Sequence, residues 1–175
     1  MGREYPRQAM ISAARSTVNK LVRSGAVAAR RSVSRSYNIK AKDLKGLYRI
    51  QASSKSASDI FARFISKGYQ LPLVMFIKKQ DRSGIEVEIK KGERRSFPHA
   101  FLARWSRRKW RPGRFSLHIW ERLGPKRLPI KRLFGVSFAD MVEDVGESAF
   151  QQVMSDDAGK TFNHELDFFL SKMGK

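Results

Sequence analysis

The stretch Gly84-Ile85-Glu86-Val87-Glu88-Ile89-Lys90 decides the fold class of this chain. Apolar and charged side chains alternate along it, and a period of two is typical of a β-strand with one buried face. We therefore expect Ile85, Val87 and Ile89 to face a core. The charged residues between them are expected to face solvent: Glu86, Glu88 and Lys90.

Further strands are predicted on both sides of this stretch. Partial alternation or short apolar runs mark residues 47–52, 60–65, 73–77, 97–103 and 115–121. The connections between them are too short for crossover helices, so we predict one mainly antiparallel sheet of about five or six strands.

Both ends of the chain have helical patterns. Residues 4–36 read as one long helix with a narrow apolar stripe, interrupted by Gly25 and surrounded by arginines. The stripe consists of Ile11, Ala14, Val18, Leu21, Val22 and Ala28. Small side chains bury little area, so we expect this helix to project and to order against another subunit. An ordinary surface helix with a solvated basic face is the alternative.

The C-terminal segment has a wider apolar face that can lie across the sheet. Ser137 is placed to cap its first helix, Asp140 lies in the first turn, and a break is expected at residues 157–159. The predicted fold class is α+β, with a C-terminal helix or helix pair on the sheet. We expect one domain over residues 1–175, with a basic helix (1–38), a sheet core (39–136) and acidic helices (137–175).

Charge is distributed unevenly along the chain. Residues 1–136 contain 33 Lys and Arg against 8 Asp and Glu, whereas residues 137–175 contain 3 against 8. Opposite fields on one molecule steer association with copies of itself, with other proteins or with a polyanion. Assembly or nucleic-acid binding is therefore indicated.

The sequence offers little for catalysis. Cysteine is absent, which excludes disulfides, thiolate zinc sites and cysteine nucleophiles. The three histidines, His99, His118 and His164, do not have metal-ligand spacing, and His118 reads as a half-buried structural residue. Phosphate-binding loops and serine-nucleophile motifs are also missing. We expect no enzyme activity, no metal, no cofactor, no membrane span and no cleaved signal; a nuclease is the weakest hypothesis, because the acids are dispersed.

The segment of residues 104–114 is the strongest local anomaly, because six cations surround two tryptophans. Three interpretations stay open: a nucleic-acid surface, a solvated hairpin tip with arginines on the indoles, or a protein-docking loop. The candidate residues for contact with a partner or with DNA are Arg104, Trp105, Arg107, Arg108, Lys109, Trp110, Arg111 and Arg114.

Four segments in a fixed order carry a family resemblance. They are Leu71-Pro72-Leu73-Val74-Met75-Phe76, Gly84-Ile85-Glu86-Val87, Pro98-His99-Ala100-Phe101 and Arg122-Leu123-Gly124-Pro125-Lys126-Arg127-Leu128-Pro129-Ile130-Lys131-Arg132-Leu133-Phe134-Gly135-Val136-Ser137. In this order they resemble the minor tail protein Z family of tailed phages and prophages, from about residue 39 to the final helix. Two departures are the long basic loop of residues 104–114 and Val136, where the family commonly has a Gly-Pro-Ser turn.

The resemblance implies a structural tail-completion or neck component that helps to finish the tail and join it to the head. The implied partners are other tail and neck proteins, such as the tail terminator and head-completion proteins, together with further copies in a ring near the DNA. The implied location is the tail or neck of the virion, and the host cytoplasm during assembly.

A subunit interface is predicted on two segments. Pro129 lacks a backbone donor, which favours a sheet edge or a strand start for residues 128–133. This edge could be structural only, or it could meet the next subunit while the acidic helix meets a basic neighbour. The candidate residues are Arg127, Leu128, Pro129, Ile130, Lys131, Arg132, Glu143, Asp144 and Glu147.

Overall fold

A computed structural model describes residues 6–54, 59–105 and 116–173, with Trp105 and Ser116 described by their backbone only. A long helix lies at each end of the chain, and a series of short antiparallel strands lies between the two in sequence. The predicted α+β class, with its long N-terminal helix and C-terminal helix, is confirmed.

The helices are α1 (Arg7–Ser36), α2 (Phe138–Met141) and α3 (Glu147–Met173), and a π-helical turn (Val142–Gly146) joins the last two. The strands are β1 (Tyr48–Gln51), β2 (Arg63–Ser66), β3 (Gln70–Pro72), β4 (Ile77–Asp81), β5 (Gly84–Glu88), β6 (Arg94–Phe97), β7 (Ala100–Trp105), β8 (Ser116–Arg122), β9 (Ile130–Arg132) and β10 (Phe134–Ser137).

In the described residues the strands form four small antiparallel sheets instead of one. Their orders are β1-β2, β3-β10, β4-β5-β6 and β7-β8-β9. A 3₁₀ turn (Leu73–Phe76) ends β3 and replaces the strand that we predicted over residues 73–77. Its apolar side chains still enter the core, because Leu73 and Phe76 are buried. A short apolar run fits a buried turn as well as a buried strand, and here the turn separates the sheets.

The core collects side chains from both helical ends and from the strands. Phe76, Leu71 and Ile85 are almost fully buried, and they belong to the same cluster as Val33 of α1 and Phe138 of α2. The C-terminal end of α1 is therefore part of the core of its own chain.

The rest of α1 packs along α3, so our expectation of a projecting helix is wrong. Ala9 and Ala13 are fully buried and form a second cluster with Leu166. The buried stripe of α1 is made mostly of small residues: Ala9, Ala13, Thr17, Leu21, Val22, Gly25, Ala26, Ala29 and Val33. Of the stripe predicted from hydrophobicity, Leu21 and Val22 are buried, whereas Ile11, Ala14, Val18 and Ala28 are half-buried. Small side chains occupy the buried face of α1 because they let the two helices approach closely.

The two helices approach each other closely at Gly25. A Cβ atom added at Gly25 would lie 2.6 Å from Cδ2 of Phe150 and 2.9 Å from Cε of Met154. A side chain at this position would displace both neighbours. The glycine that interrupts the predicted stripe is therefore where α3 crosses α1.

The C-terminal helix begins as predicted and continues further than predicted. The Ser137 hydroxyl accepts from the Asp140 backbone N–H at 3.1 Å, and the Asp140 carboxylate accepts from the Ser137 N–H at 3.0 Å. This reciprocal pair is a capping box. The break expected at residues 157–159 is absent, since α3 runs unbroken to Met173. Gly159 is exposed within α3, where an isolated glycine costs about 1 kcal/mol relative to alanine without ending the helix.

The alternation of β5 is confirmed for its apolar face and wrong for Glu88. Ile85 and Val87 are buried, and so is the Glu88 side chain, which we expected in solvent. Glu88 accepts from the Gly92 backbone N–H at 2.8 Å and pairs with Lys78 Nζ at 2.9 Å. These two partners hold the pKa of Glu88 below its usual value. Burial is tolerated because the carboxylate is hydrogen-bonded and paired.

Candidate assembly surfaces

The basic loop predicted as a partner or DNA surface lies mostly outside the described residues. Arg107, Arg108, Lys109, Trp110, Arg111 and Arg114 belong to that part of the chain. Arg104 lies in β7 opposite Leu117 of β8, and its side chain is exposed. The loop therefore starts from one end of a regular antiparallel hairpin.

The predicted interface segment around Pro129 lies at a sheet edge. Within the described sheet β7-β8-β9, β9 is a terminal strand. The Leu123 N–H donates to the Pro129 carbonyl at 3.1 Å, and the Leu133 N–H donates to the Ile119 carbonyl at 2.9 Å. In an antiparallel ladder every second residue faces the partner strand, so Pro129, Lys131 and Leu133 face β8 and the residues between them point their backbone groups away from it. The N–H and C=O groups of Ile130 and Arg132 thus face the edge.

The turn between β8 and β9 exposes two leucines. Leu123 is 56% exposed and Leu128 is 66% exposed, and cations lie beside both in the sequence. We call residues 122–132 the hairpin surface. Besides the two leucines it contains one further apolar residue, Ile130, and five cations: Arg122, Lys126, Arg127, Lys131 and Arg132. Lys131 is paired with Glu121 at 2.8 Å, which leaves the hairpin surface mainly positive.

A groove of about 720 Å³ borders the hairpin surface. It is lined by residues 98–101 and 122–125. On this side the Arg122 guanidinium lies 5.0 Å from the centre of the Phe101 ring. At the far end of β9 the Arg132 guanidinium lies 4.5 Å from the centre of the Phe134 ring, which is itself 45% exposed. Exposed apolar residues among arginines are typical of protein interfaces.

The acidic half of the predicted interface divides into two parts. Asp144 is committed within the chain, because its Oδ2 accepts from the Tyr37 hydroxyl at 2.8 Å and pairs with Lys90 Nζ at 2.9 Å. Burial and this bond raise the pKa of Tyr37 to about 12, while Lys90 and Tyr37 lower the pKa of Asp144. Asp144 therefore has partners within its own chain, and its assignment to a subunit interface stays a prediction. Glu143 and Glu147 are exposed, and neither has an ion pair in the described part of the chain.

A buried carboxylate on α3 was missed by the sequence reasoning. Glu165 is almost fully buried and accepts from the Ser16 hydroxyl and from Lys20 Nζ of α1. Burial alone would raise the pKa of Glu165, but Lys20, Ser16 and the adjacent His164 outweigh it, so the pKa is lowered. The available signal was its position on the apolar face between Phe162 and Phe169. This network joins the two long helices.

The histidines fall in three different environments. His118 is buried in β8, and burial followed by the charge of Arg132 lowers its pKa. His99 lines the groove beside the hairpin surface, and His164 is exposed at 3.3 Å from Glu165. Among residues 6–54, 59–105 and 116–173, the structure contains no cluster of three side chains suited to hold a metal ion. The same residues include no helix that is long and apolar enough to cross a bilayer.

With this geometry, the hairpin surface and the exposed Glu143 and Glu147 are suited to contact with another protein. Comparisons of the chain with protein-family models, with curated proteins and with solved structures gave no match.

Proposed function

We propose that this protein is a structural tail-completion or neck subunit of a tailed phage or prophage. The ordered resemblance of residues 71–76, 84–87, 98–101 and 122–137 to the minor tail protein Z family supports this proposal. In this role the protein finishes the tail and helps to join it to the head, without performing a reaction. Its partners are further copies of itself and other neck and tail proteins, among them the tail terminator and head-completion proteins. It resides in the tail or neck of the virion and assembles in the host cytoplasm.

The observation that carries the proposal is the hairpin surface. Leu123 and Leu128 are more than half exposed at the edge of a sheet, and solvated leucines at such a site serve best as anchors for another protein. The free backbone groups of β9 can accept a further strand, and Lys131 and Arg132 select an acidic partner over uncontrolled pairing.

Genetic complementation tests the proposal. Deleting the gene from the phage that encodes it should leave full heads and unjoined tails, which electron microscopy counts directly. The wild-type gene should restore joined particles, whereas a Leu123→Glu, Leu128→Glu variant should not. A Tyr69→Glu variant is the matched control, because Tyr69 is 53% exposed but lies outside the hairpin surface. Normal particle yields after deletion would refute the proposed function.

The second candidate is a nucleic-acid-binding module that uses residues 104–114. The net charge of +20 and the exposed Arg104 at the start of that segment favour it. Phosphate contacts release counterions, so this function requires a steep fall of DNA affinity with salt. Affinity for short duplex DNA that is weak and insensitive to the loss of Arg104, Arg107 and Arg108 would remove this candidate.

A further inference from the structure

A second surface lies on the helical layer, between α1 and α3. It is a shallow groove of about 420 Å³. Its floor is apolar and half-buried, and it consists of Val27, Ala28 and Val153. Its residues on α1 are spaced by three and four positions, so they form one continuous helix face: Arg23, Ser24, Val27, Ala28 and Arg31.

The two sides of this groove have opposite charges. Arg23 and Arg31 are exposed on the α1 side, and Asp157 is exposed on the α3 side. In the described residues, none of the three takes part in an ion pair. The groove thus presents uncompensated positive charge along one side, uncompensated negative charge on the other and apolar surface between them.

We propose that a second copy of this chain packs its own α1–α3 groove against this one, around a two-fold axis that runs along the helices. A surface that carries both signs of charge side by side is complementary to itself under a suitable two-fold rotation. An axis along the groove places α1 of one copy opposite α3 of the other, which brings arginines to Asp157. An axis across the groove would place α1 opposite α1 and bring arginines together, so the charges select the first arrangement.

The heights of the charged residues along the helices agree with this arrangement. The antiparallel packing sets Gly25 beside Phe150 and Met154, and it sets Ala29 beside Gly146. Continuing from Gly25 at the same rise per residue, Asp157 lies about three residues, or about 4.5 Å, from the height of Arg23, which is less than one helical turn. Rotation about an axis parallel to the helices leaves heights unchanged. Because both residues line the groove, Asp157 of each copy is within reach of the long Arg23 side chain of the other, and the valines of the two floors close into a four-helix contact.

This inference rests on the proposed function only in assuming that the protein assembles with copies of itself. It assigns the pairing of two copies to the helical layer and leaves the hairpin surface free for neck and tail proteins.

Light scattering of the purified full chain tests the pairing. The wild type should have twice the 20.1 kDa mass of one chain, or an even multiple of it. Asp157→Lys should raise the dissociation constant of the pair by about tenfold or more, because the symmetry replaces two attractions by two repulsions. Asp156→Lys is the matched control, since it makes the same charge change one residue away and outside the groove, and its mass should stay that of the wild type.

A mixing experiment separates contact between copies from effects within one chain. Asp157→Lys and the double variant Arg23→Glu, Arg31→Glu should each be monomeric alone, since each brings like charges together. An equimolar mixture should recover the paired mass, because lysine then faces glutamate and arginine faces aspartate. A mixture of Asp156→Lys with the double variant should give no comparable recovery.

The inference is overturned if the wild type is a monomer at every soluble concentration, if its mass is an odd multiple, or if Asp157→Lys pairs like the wild type. Recovery that fails on mixing also overturns it. Circular dichroism of each variant confirms that the helices are intact. The deletion phenotype is independent of these results: joined particles that require the gene, together with a monomeric wild type, refute the groove pairing and leave the proposed function standing.

Discussion

Replacing Gly25 by alanine tests the packing of α1 on α3 through two opposing effects. Alanine stabilises a helix interior by about 0.5–1 kcal/mol relative to glycine, because glycine loses more backbone freedom on folding. Against this, the new methyl group would lie 2.6 Å from Phe150 and 2.9 Å from Met154. Overfilling a packed contact costs about 1–3 kcal/mol.

The neighbours decide which effect is larger. Met154 is flexible and can move its terminal methyl group, but the Phe150 ring stacks on Phe64 with centroids 5.8 Å apart. The ring therefore has little room to retreat. We expect Gly25→Ala to lower the free energy of unfolding by about 1 kcal/mol, which corresponds to a fall in Tm of about 2–4 °C for a chain of this size.

Gly159→Ala is the matched control, because it makes the same substitution in the other long helix. A Cβ at Gly159 meets nothing within 4 Å, so only the gain in helix propensity remains, about 0.5–1 kcal/mol of added stability. Urea unfolding of both variants gives the difference between them, in which the propensity gain cancels. We expect the free energy of unfolding of Gly159→Ala to exceed that of Gly25→Ala by about 1–3 kcal/mol. Equal stabilisation by both substitutions would refute the close approach of α1 to α3.

Four further predictions concern polar groups that stabilise the fold. Glu165→Gln should lower the free energy of unfolding by about 1–3 kcal/mol, since it removes the charge that pairs with Lys20, whereas the exposed Glu143→Gln should change it by less than about 0.5 kcal/mol; equal effects in urea unfolding would contradict the buried network. Ser137→Ala should cost about 1 kcal/mol by removing the cap of α2, and an unchanged Tm would show that the capping box contributes nothing. The lowered pKa values of Glu88, Asp140, Asp144 and Glu165 place their stabilisation above the ordinary carboxyl values of 3.8 and 4.5; unfolding free energy should therefore fall as the pH drops below about 4.5. At alkaline pH, the stabilisation from the raised Tyr37 pKa should be lost between pH 10 and about 12, and Tyr37→Phe should remove that loss.

Much of the fold was readable because it follows periodicity and caps. The alternation of residues 85–89 located β5 and its buried Ile85 and Val87. Ser137 located the start of the C-terminal helix. The missing backbone donor of Pro129, with the charge of Lys131 nearby, located a sheet edge. Each of these signals is local, so one sequence is enough to find it.

The misread features depend on contacts between distant parts of the chain. Hydrophobicity selects Ile11 and Val18 for the buried face of α1, but α3 selects Ala9, Ala13 and Gly25 because only small residues allow its approach. Glu88 reads as solvated until Lys78 and the Gly92 N–H are placed beside it.

The candidate surfaces were predicted only where local sequence signals define them. The position of β9 at an edge follows from Pro129, and the exposure of Glu143 and Glu147 follows from their charge. The commitment of Asp144 to Tyr37 and Lys90 could not be read, since those partners are more than fifty residues away in sequence. The groove between α1 and α3 is likewise visible only when the two helices are side by side.

The central claim is that this chain is a building block of a phage tail or neck, and quantitative mass spectrometry of purified particles tests it most directly. Particles washed at high salt should retain the protein at a fixed ratio to the major tail protein, and tails purified without heads should retain it as well. Its loss from washed particles, or a ratio that varies between preparations, would contradict the claim.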